Sequence, residues 1–182
     1  MWINIRRDHD TVNLNDFQAG YDLTKTLIKR GHEHITYVCR GHEVTPRHYS
    51  KEERFAGYAK AMEEARLEVS TLFRIPDLEA YEDYVRKHRH VSAYVCYGRE
   101  YQSLGYYLMR NGMKIPDEVE FGIFAENNYS VYPGCVALAQ LPFEEVGKTA
   151  VEILLQKIEH PERRFPEKRI PFPIYTGDRL RY

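Results

Sequence analysis

The sequence predicts an α/β protein in which a mostly parallel sheet lies between two layers of helices. Short apolar segments alternate with longer amphipathic segments along the chain, as strands and helices do in such folds. The short segments are rich in β-branched and aromatic residues, which suits strands that are buried on both faces. The longer segments repeat apolar residues at spacings of three and four, which is the period of a helix packed on a core.

The first part of the chain predicts a strand, a helix and a second strand. WINIRR is the first strand, and Asn15 or Asp16 begins a helix. Gly31 ends this helix, because glycine adopts the left-handed C-terminal conformation at least cost. HITYVCR follows as a buried strand. The helix is expected to turn one stripe inward, formed by Phe17, Tyr21, Thr24, Leu27 and Ile28.

The middle of the chain repeats the alternation. Ser50 and Glu53 match a reciprocal capping box, which opens a helix through RFAGYAKAMEEARL. A weaker strand, VSTLFRIP, precedes a helix that starts after Pro76. The segments that follow predict the strand VSAYVCYG, the helix REYQSLGYYLMRNG and the strand EVEFGIFAE.

The last part predicts a turn, a strand, a helix and an edge strand. NNYSVYPG is rich in turn residues, and CVALAQ is a short strand. Pro142 opens the helix PFEEVGKTAVEILLQKIE, and KRIPFPIY is an edge strand broken by prolines. In sheets of this class ligands bind at the carboxyl ends of the strands, where the strand order reverses. The pattern therefore predicts where a site lies, but not its chemistry.

Composition and charge exclude several classes of protein. The 26 basic and 27 acidic side chains give a net charge of -1, so the chain lacks the basic surface that binds nucleic acid. No segment approaches the length that spans a bilayer, and the N-terminus resembles neither a signal nor a transit peptide. Cys39, Cys96 and Cys135 lie far apart in apolar segments, which is typical of reduced, buried thiols. We therefore expect a cytoplasmic protein that contacts no membrane.

The stretch TLIKRGHEHITYVCRG, residues 26–41, is a candidate metal or catalytic site. Its histidines and cysteine do not follow the zinc-binding spacings CxxC or HExxH. The GxSxG nucleophile elbow and the glycine-rich phosphate loops are missing from the sequence as well. The favoured interpretation is that His32 hydrogen-bonds free backbone groups at a helix–strand elbow. We therefore expect no metal, no cofactor and no catalytic activity.

Tyrosines are concentrated in one predicted strand–helix unit. Packing in the core or at an interface is the simplest interpretation. The alternative is a stacking platform for a sugar or another flat ligand, because aromatic side chains often line ligand sites. The residues concerned are Tyr94, Tyr97, Tyr101, Tyr106 and Tyr107.

Four segments, in this order and at these spacings, resemble the effector-binding region of the lactose/galactose repressor (LacI/GalR) family of bacterial transcription regulators. They are AGYDLTKTLIKRGHEHITYV, ERFAGYAKAMEEARLEV, LMRNGMKIPDEVEFGIF and LAQLPFEEVGKTAVEILLQKI. The resemblance runs from about Val12 to the C-terminus and rests on the ordered set rather than on a single motif. It implies a three-layer, periplasmic-binding-protein-like fold, mainly the C-terminal subdomain of that fold.

The resemblance also implies that residues 1–182 form a partial effector-binding domain. Residues of about 14–135 and 168–182 would form the C-terminal subdomain, and about 1–11 and 136–162 would be remnants of the N-terminal one. The family's helix-turn-helix would be absent from this chain. The full-length protein would bind DNA only through that helix-turn-helix. The last helix would have lost its partner sheet, which predicts a homodimer or a swapped arrangement. Its apolar residues are Phe143, Val146, Ala150, Ile153 and Leu154.

The ligand site of the family carries over to this chain in part. Arg54 stands where the family has an arginine that binds ligand hydroxyls or carboxylates with its forked donors. Ser50 and Gln18 fall at positions of other polar contacts. The alternative for Arg54 is an exposed arginine on a surface helix, since most arginines are exposed.

Two positions depart from the family's ligand site. Its Asn-Asp pair after the fourth strand is Tyr97-Gly98 here, and its aspartate at the end of the next strand is Ala125. Glu126 follows, but neighbours on a strand point to opposite faces, so it replaces the aspartate only if the strand end twists or bulges. Losing a buried polar contact costs about 1–3 kcal/mol, enough to change the ligand class. Either the effector has fewer hydroxyls and stacks on Tyr97, or the domain only dimerises.

The sequence therefore predicts the ligand-sensing and dimerisation region of a transcription regulator. The expected ligand is a sugar or a related metabolite, bound by Arg54, Ser50, Tyr97, Gln18 and Glu126. One alternative is a small α/β enzyme acting on a sugar phosphate, which requires a perturbed carboxylate beside a histidine in a closed cleft. The other alternative is an exported solute-binding protein, which shares the fold.

Overall fold

The computed structural model describes residues 1–45, 47–126 and 133–180, except for the side chains of Asp178 and Arg179. The strands are β1 (Trp2–Ile3), β2 (Thr11–Leu14), β3 (Ile35–Val38), β4 (Ser70–Leu72), β5 (Ala93–Cys96), β6 (Glu120–Ala125), β7 (Cys135–Gln140), β8 (Lys168–Ile170) and β9 (Ile174–Thr176). The helices are α1 (Asp16–Lys29), α2 (Tyr49–Glu64), α3 (Glu79–Lys87), α4 (Glu100–Arg110) and α5 (Phe143–Glu159), and a 3-10 turn, Gly177–Leu180, follows β9.

The described strands form two sheets. The larger sheet has the order β4-β3-β5-β6-β7-β9 and is parallel except for β9, which pairs antiparallel with β7. The smaller sheet, β1-β2-β8, is parallel throughout. The predicted α/β class with mostly parallel strands is therefore confirmed.

Helices cover both faces of the larger sheet. Successive residues of a strand point to opposite faces. Tyr37 of β3 packs in one core with α1 and α2, whereas its neighbour Val38 packs in a second core with α3 and α4. Val95 and Tyr94 of β5 divide between the same two cores. One sheet therefore separates two apolar cores, which confirms the three-layer arrangement.

Helix α5 packs on the smaller sheet. Its buried residues Val146, Ala150 and Ile153 share a core with Val12 and Leu14 of β2. The expectation that this helix has no sheet to pack on is wrong, because β1, β2 and β8 supply one. Of the five apolar residues expected to lack cover, the three buried ones are therefore covered, and the other two belong to the exposed face. That face contains Phe143, Val151, Leu154, Leu155 and Ile158.

Sheet pairing differs from the expected subdomain boundaries at both ends of α5. The expected boundary assigns residues 136–140 to the N-terminal remnant, but β7 pairs with β6 in the larger sheet. It assigns residues 168–170 to the C-terminal subdomain, but β8 pairs with β2 in the smaller sheet. Proline fixes φ and has no amide hydrogen. Pro171 and Pro173 therefore divide KRIPFPIY into two strands of different sheets, where a single edge strand was predicted.

Two expectations about the helices are also wrong. The cap of α2 is His48, whose Nδ1 accepts a hydrogen bond from the Ser50 amide at 3.3 Å, so the predicted capping box of Ser50 and Glu53 does not form. On α1 the inward face is rotated relative to the predicted stripe, and Phe17 is 37% exposed. The buried residues of α1 are Asp16, Ala19, Gly20, Leu23, Thr24 and Leu27.

Two glycines bring α1 and α2 into backbone contact. A methyl group at Gly20 would overlap the carbonyl oxygen of Arg54, and a methyl group at Gly57 would overlap that of Phe17. Packed helix axes ordinarily lie 8–10 Å apart, at a distance set by the side chains between them. The missing side chains of Gly20 and Gly57 therefore determine how close α2, which carries Arg54, lies to α1.

The histidine-rich stretch is an elbow between α1 and β3, as predicted, and His32 is part of it. Its Nε2 lies 2.7 Å from Glu120 Oε2, and its Nδ1 lies 2.9 Å from the hydroxyl of Ser92. Arg30 Nε donates to the same Glu120 oxygen at 2.6 Å. The partners of His32 are thus side chains rather than the backbone groups expected. These bonds connect the end of α1 to β6.

We expect Glu120→Gln to lower the free energy of unfolding by about 1–3 kcal/mol at pH 7, the cost of losing a charged hydrogen-bond acceptor. Burial by itself raises the pKa of Glu120, but the hydrogen bonds from Arg30 and His32 outweigh it and hold the pKa below the ordinary 4.5. Its stabilising effect is therefore complete above pH 4.5 and is lost as the pH falls through the folded-state pKa.

Urea denaturation of both proteins between pH 3 and pH 7 measures this effect. The difference between wild type and Glu120→Gln should shrink below pH 4.5. Glu33→Gln is the control, because Glu33 is exposed on the same elbow; its effect should stay within about 0.5 kcal/mol. A difference for Glu120→Gln that is independent of pH contradicts the assignment.

Candidate ligand-binding cleft

A cleft of about 450 Å³ lies between the two sheets. One wall is formed by the carboxyl ends of β5 and β6, which is where parallel sheets bind ligands. The other wall comes from β2, the loop after β1, and the start of α5. The lining residues are Asn4, Leu14, His48, Ser50, Arg54, Tyr97, Gly98, Arg99, Tyr101, Phe124, Ala125, Glu126, Leu141 and Phe143.

Arg54 is the buried cation of this cleft. It lies in the second turn of α2 and is only 4% exposed. Its Nε donates a hydrogen bond of 2.7 Å to Oδ1 of Asp16, the fully buried first residue of α1. The alternative that Arg54 is an exposed surface arginine is therefore wrong. The close crossing of α1 and α2 at their glycines brings the two charges together.

Aromatic rings hold the guanidinium of Arg54 in place. Its central carbon lies 4.4 Å from the ring centre of Phe124, 4.7 Å from that of Tyr97 and 5.3 Å from that of Phe172. Its Nη1 is 3.5 Å from the Tyr97 carbonyl oxygen, which is a long contact, and Nη2 makes no hydrogen bond to the described residues. Arg54 therefore has unused donors beside the cleft.

Asp16 is an unusual partner because it is only partly satisfied. Burial raises the pKa of Asp16, and the neighbouring Arg54 guanidinium opposes this rise without cancelling it. Within the described part of the chain, Oδ2 of Asp16 has no hydrogen-bond partner. A buried ion pair of this kind adds little net stability, since desolvation offsets the attraction between the charges. Its clearest effect is to fix the orientation of Arg54.

A chain of hydrogen bonds connects the two walls of the cleft. The hydroxyl of Tyr97 lies 2.8 Å from that of Ser50, which in turn lies 2.8 Å from Nδ1 of His48. Nε2 of His48 donates to the carbonyl oxygen of Asn4 at 3.3 Å, so Nδ1 acts as an acceptor. Ser50 and His48 are therefore already hydrogen-bonded within the protein.

Glu100 fixes the loop that contains Tyr97 and Gly98. Its Oε2 accepts a hydrogen bond of 2.7 Å from the Gly98 amide, and its Oε1 accepts one of 3.1 Å from the Arg40 amide. One carboxylate thus joins the loops that follow β3 and β5. A rigid loop orients the polar groups of the cleft before any ligand arrives.

The domain model described as periplasmic binding protein-like matches residues 24–178, which is most of the chain. The chain belongs to this family. The resemblance to the effector-binding domain of the LacI/GalR regulators is likewise confirmed by similar proteins of known class.

Two relatives of this periplasmic binding protein-like domain are "HTH-type transcriptional repressor PurR" proteins. That of Vibrio campbellii is 30% identical over 175 residues, which cover 88% of this chain and 49% of the relative. That of Vibrio parahaemolyticus is 30% identical over 181 residues, with the same coverage. The chain thus spans about half the length of these relatives.

Solved structures show the same fold. A LacI-family transcriptional regulator from Enterococcus faecium with bound ribose has a TM-score of 0.73 at 19% identity, covering 94% of this chain and 66% of that one. A transcription regulator from Lactobacillus plantarum has a TM-score of 0.76 at 18% identity, covering 94% and 68%. At these identities the likeness concerns the fold alone.

The predicted site residues of the domain do not all lie at the cleft. Arg54, Ser50 and Tyr97 line it together, and Glu126 is an exposed residue at its rim. Gln18 does not line it: this side chain is exposed and donates to Asp22 of its own helix at 2.8 Å. Its position early in α1 faces away from the cleft, because the inward face of that helix is rotated relative to the prediction.

Tyr97 is not an open stacking platform. Arg54 lies over its ring, and its hydroxyl is bonded to Ser50, so a ligand has less access to it than predicted. Of the other clustered tyrosines, Tyr101 also lines the cleft, Tyr94 and Tyr107 are buried in the core, and Tyr106 is exposed. Core packing is the main role of this cluster.

Four residues that shape the cleft were not predicted as site residues. Asp16 reads in the sequence as a helix-start acid, and Glu100 reads the same way at the start of α4. Phe124 and Phe172 read as ordinary core or edge residues. Their roles depend on partners far away in sequence, which helical or strand periodicity does not reveal.

Other sites give little support for different chemistry. A second cavity of about 320 Å³ lies where β3 and β5 of the larger sheet begin, and its lining includes His34, His88 and His90. Among the described residues no group of three or more histidine, cysteine or acidic side chains is arranged to hold a metal ion. Cys39, Cys96 and Cys135 are buried free thiols. No described helix has the length and apolar character needed to span a membrane.

Proposed function

We propose that this chain is the ligand-sensing part of a LacI/GalR-type transcription regulator. In this proposal a small effector binds in the cleft between the two sheets, and the domain catalyses no reaction. The regulator acts in the cytoplasm as a homodimer and binds DNA through a helix-turn-helix outside these 182 residues. The observation that carries the proposal is Arg54, a buried arginine with unused donors beside a cleft of ligand size.

The lining of the cleft favours a ligand that accepts hydrogen bonds. Arg54 and Arg99 supply donors, whereas the carboxylate among the described lining residues is that of Glu126, exposed at the rim. Gly98 and Ala125 offer no side-chain acceptors where the family has two aspartates. LacI-family regulators from Enterococcus faecium and Enterococcus faecalis carry bound ribose, which supports a sugar-sized ligand here. We infer a sugar derivative with carbonyl, carboxylate or phosphate oxygens.

The contacts support a sensor over an enzyme. The carboxylate with the raised pKa, Asp16, is fully buried behind Arg54 and does not line the cleft. The lining histidine, His48, is bonded to Ser50 and to the Asn4 carbonyl oxygen. An acid–base catalyst needs a proton-transfer pair within reach of the substrate. Among the described residues Asp16 is bonded to Arg54 and not to His48, so these two do not form the carboxylate–histidine pair that the enzyme alternative requires.

The outer face of α5 supports the proposed homodimer. Val151, Leu154, Leu155 and Ile158 are each at least 46% exposed on it. Contiguous apolar residues on a surface mark an interaction site. Sedimentation velocity of the chain at micromolar concentration tests this, and a monomer at all concentrations contradicts it.

Thermal-shift screening of the full-length protein with sugars, sugar phosphates, organic acids and nucleobases tests the proposed ligand site. A ligand at 100 times its Kd adds about 2.7 kcal/mol to the stability of the folded state, so its binding raises the Tm. We expect at least one compound with acidic or carbonyl oxygens to raise the Tm. We expect Arg54→Lys to reduce that shift strongly, because lysine lacks the planar fork of donors.

Arg163→Lys is the matched control for this experiment. Arg163 also lies over a phenylalanine ring, 4.8 Å from that of Phe165, but does not line the cleft. This variant should keep the full ligand-induced shift. Equal shifts in wild type and Arg54→Lys contradict the site, and chemical turnover of any bound compound contradicts the sensor function.

A further inference from the structure

Three segments of the chain cross between the two sheets. The first is Asn15, between β2 and α1; the second is residues 141–142, between β7 and α5; the third is residues 171–173, between β8 and β9. The Asn15 amide donates to the Ile170 carbonyl oxygen at 2.8 Å, and the Gln140 amide donates to that of Pro173 at 3.0 Å. These bonds place the ends of the first and second crossings beside the third; we refer to the three crossings together as the hinge.

Arg54 contacts one of these crossings and the residue next to another. Its Nε is bonded to Asp16, the residue directly after the first crossing, and its guanidinium lies over Phe172 in the middle of the third. Tyr97 and Phe124 of the larger sheet contact the same guanidinium. The second crossing is not in contact with it, but Leu141 lines the same cleft.

The rigid shape of the guanidinium makes these contacts interdependent. The group is planar, so the donor bonded to Asp16, the face over Phe172 and the unused edge beside the cleft move together. Asp16 belongs to α1, which packs on the larger sheet. A change in the angle between the sheets therefore moves Phe172 relative to Tyr97 and Phe124. Arg54 therefore has its full set of partners only within a narrow range of that angle.

We propose that Arg54 is a positioning residue of the hinge: it holds the two sheets at the angle at which its free donors face the cleft. Control of the angle follows from contacts within the protein alone. The further consequence, that an acceptor bound at those donors changes the preferred angle, rests on the proposed function. An effector shifts this equilibrium by its difference in affinity for the two arrangements.

Hydrogen exchange of the full chain, without any ligand, tests the proposal. Arg54→Lys keeps the positive charge beside Asp16 but removes the guanidinium that lies over Phe172. We expect the Asn15 and Gln140 amides to exchange about tenfold faster in this variant, as in a local opening of the hinge. The Glu120 amide, which donates to the Ser92 carbonyl oxygen at 3.0 Å within the larger sheet, should be unchanged.

Arg163→Lys is again the control and should leave all three amides unchanged. A purely structural role of Arg54 would accelerate the Glu120 amide as much as the hinge amides, and this result overturns the proposal. Unchanged hinge amides overturn it as well. Because no ligand is present, failure of the ligand screen and failure of this test are separate results.

A second variant covers the case in which Arg54→Lys does not fold. Phe172→Leu keeps an apolar side chain in the third crossing but removes the ring under Arg54. We expect it to accelerate exchange of the Ala19 amide, which is bonded to the Asn15 carbonyl oxygen at 3.1 Å beside the first crossing. In the proposal this effect passes through Arg54 and Asp16.

Phe165→Leu is the matched control for Phe172→Leu. Phe165 is 7% exposed and Phe172 is 8% exposed, and each ring has a guanidinium over it. Phe165 lies outside the crossings and should leave the Ala19 amide unchanged. If the two leucine variants affect that amide equally, Arg54 does not transmit the change and the proposal fails.

Discussion

Replacing Gly57 with alanine is expected to lower the free energy of unfolding by about 3 kcal/mol, at the upper end of the range for overpacking a core. The added methyl group would overlap the carbonyl oxygen of Phe17 and crowd the Tyr21 amide. Both are backbone groups of α1, which side-chain rotation cannot move away. The two helices must therefore separate, and Arg54, one turn before Gly57, must shift relative to Asp16.

Gly147→Ala provides the control for Gly57→Ala. Gly147 lies in α5, and a methyl group there would have open space around it. Alanine is the better helix former by about 1 kcal/mol, so this variant should be slightly more stable than wild type. Urea denaturation at pH 7 gives both values. A Gly57→Ala protein as stable as wild type contradicts the close contact between α1 and α2.

Replacing Arg54 with methionine is expected to lower the free energy of unfolding by about 3–5 kcal/mol at pH 7, the cost of leaving a buried charge unpaired. Asp16, fully buried, loses the cation that opposes the rise in its pKa. Its folded-state pKa then lies further above the unfolded value. The loss of stability should therefore be largest above the folded-state pKa and should shrink as the pH falls towards 4.

The double variant Asp16→Asn/Arg54→Met separates charge from packing. It removes both charges. Its loss of unfolding free energy should therefore be well below the sum of the losses in the two single variants. Arg86→Met is the exposed control: Arg86 pairs with Glu82 on the surface of α3 at 2.6 Å, and its removal should cost less than about 1 kcal/mol. Additive effects at positions 16 and 54, measured by urea denaturation, contradict a buried ion pair.

Local patterns of the sequence predict most of the elements, but they do not predict which elements pair. The apolar character of β3 and β5 requires burial on both faces, and the structure buries them so. β7 and β8 have ordinary strand patterns. Nothing within the six residues of β7 or the three residues of β8 specifies which of the two sheets each strand joins. That choice depends on Pro171 and Pro173 and on packing against distant segments.

The candidate site follows the same division between local and distant information. The resemblance to the LacI/GalR family identified the position of Arg54, whereas composition alone favoured an exposed arginine. Its partners Asp16 and Phe172 lie 38 residues before and 118 residues after it in sequence, so no helical or strand period connects them. Gln18 was misplaced because the rotation of α1 is set by Gly20 and by α2, not by its own apolar stripe.

The segment Pro171-Phe172-Pro173 restricts how the two halves of the domain can move. Each proline fixes φ near −65°, so these residues have few conformations to exchange. The distance between the two ends of such a segment therefore varies little. We expect the segment to let the two sheets rotate about one another and to resist an increase in the distance between them.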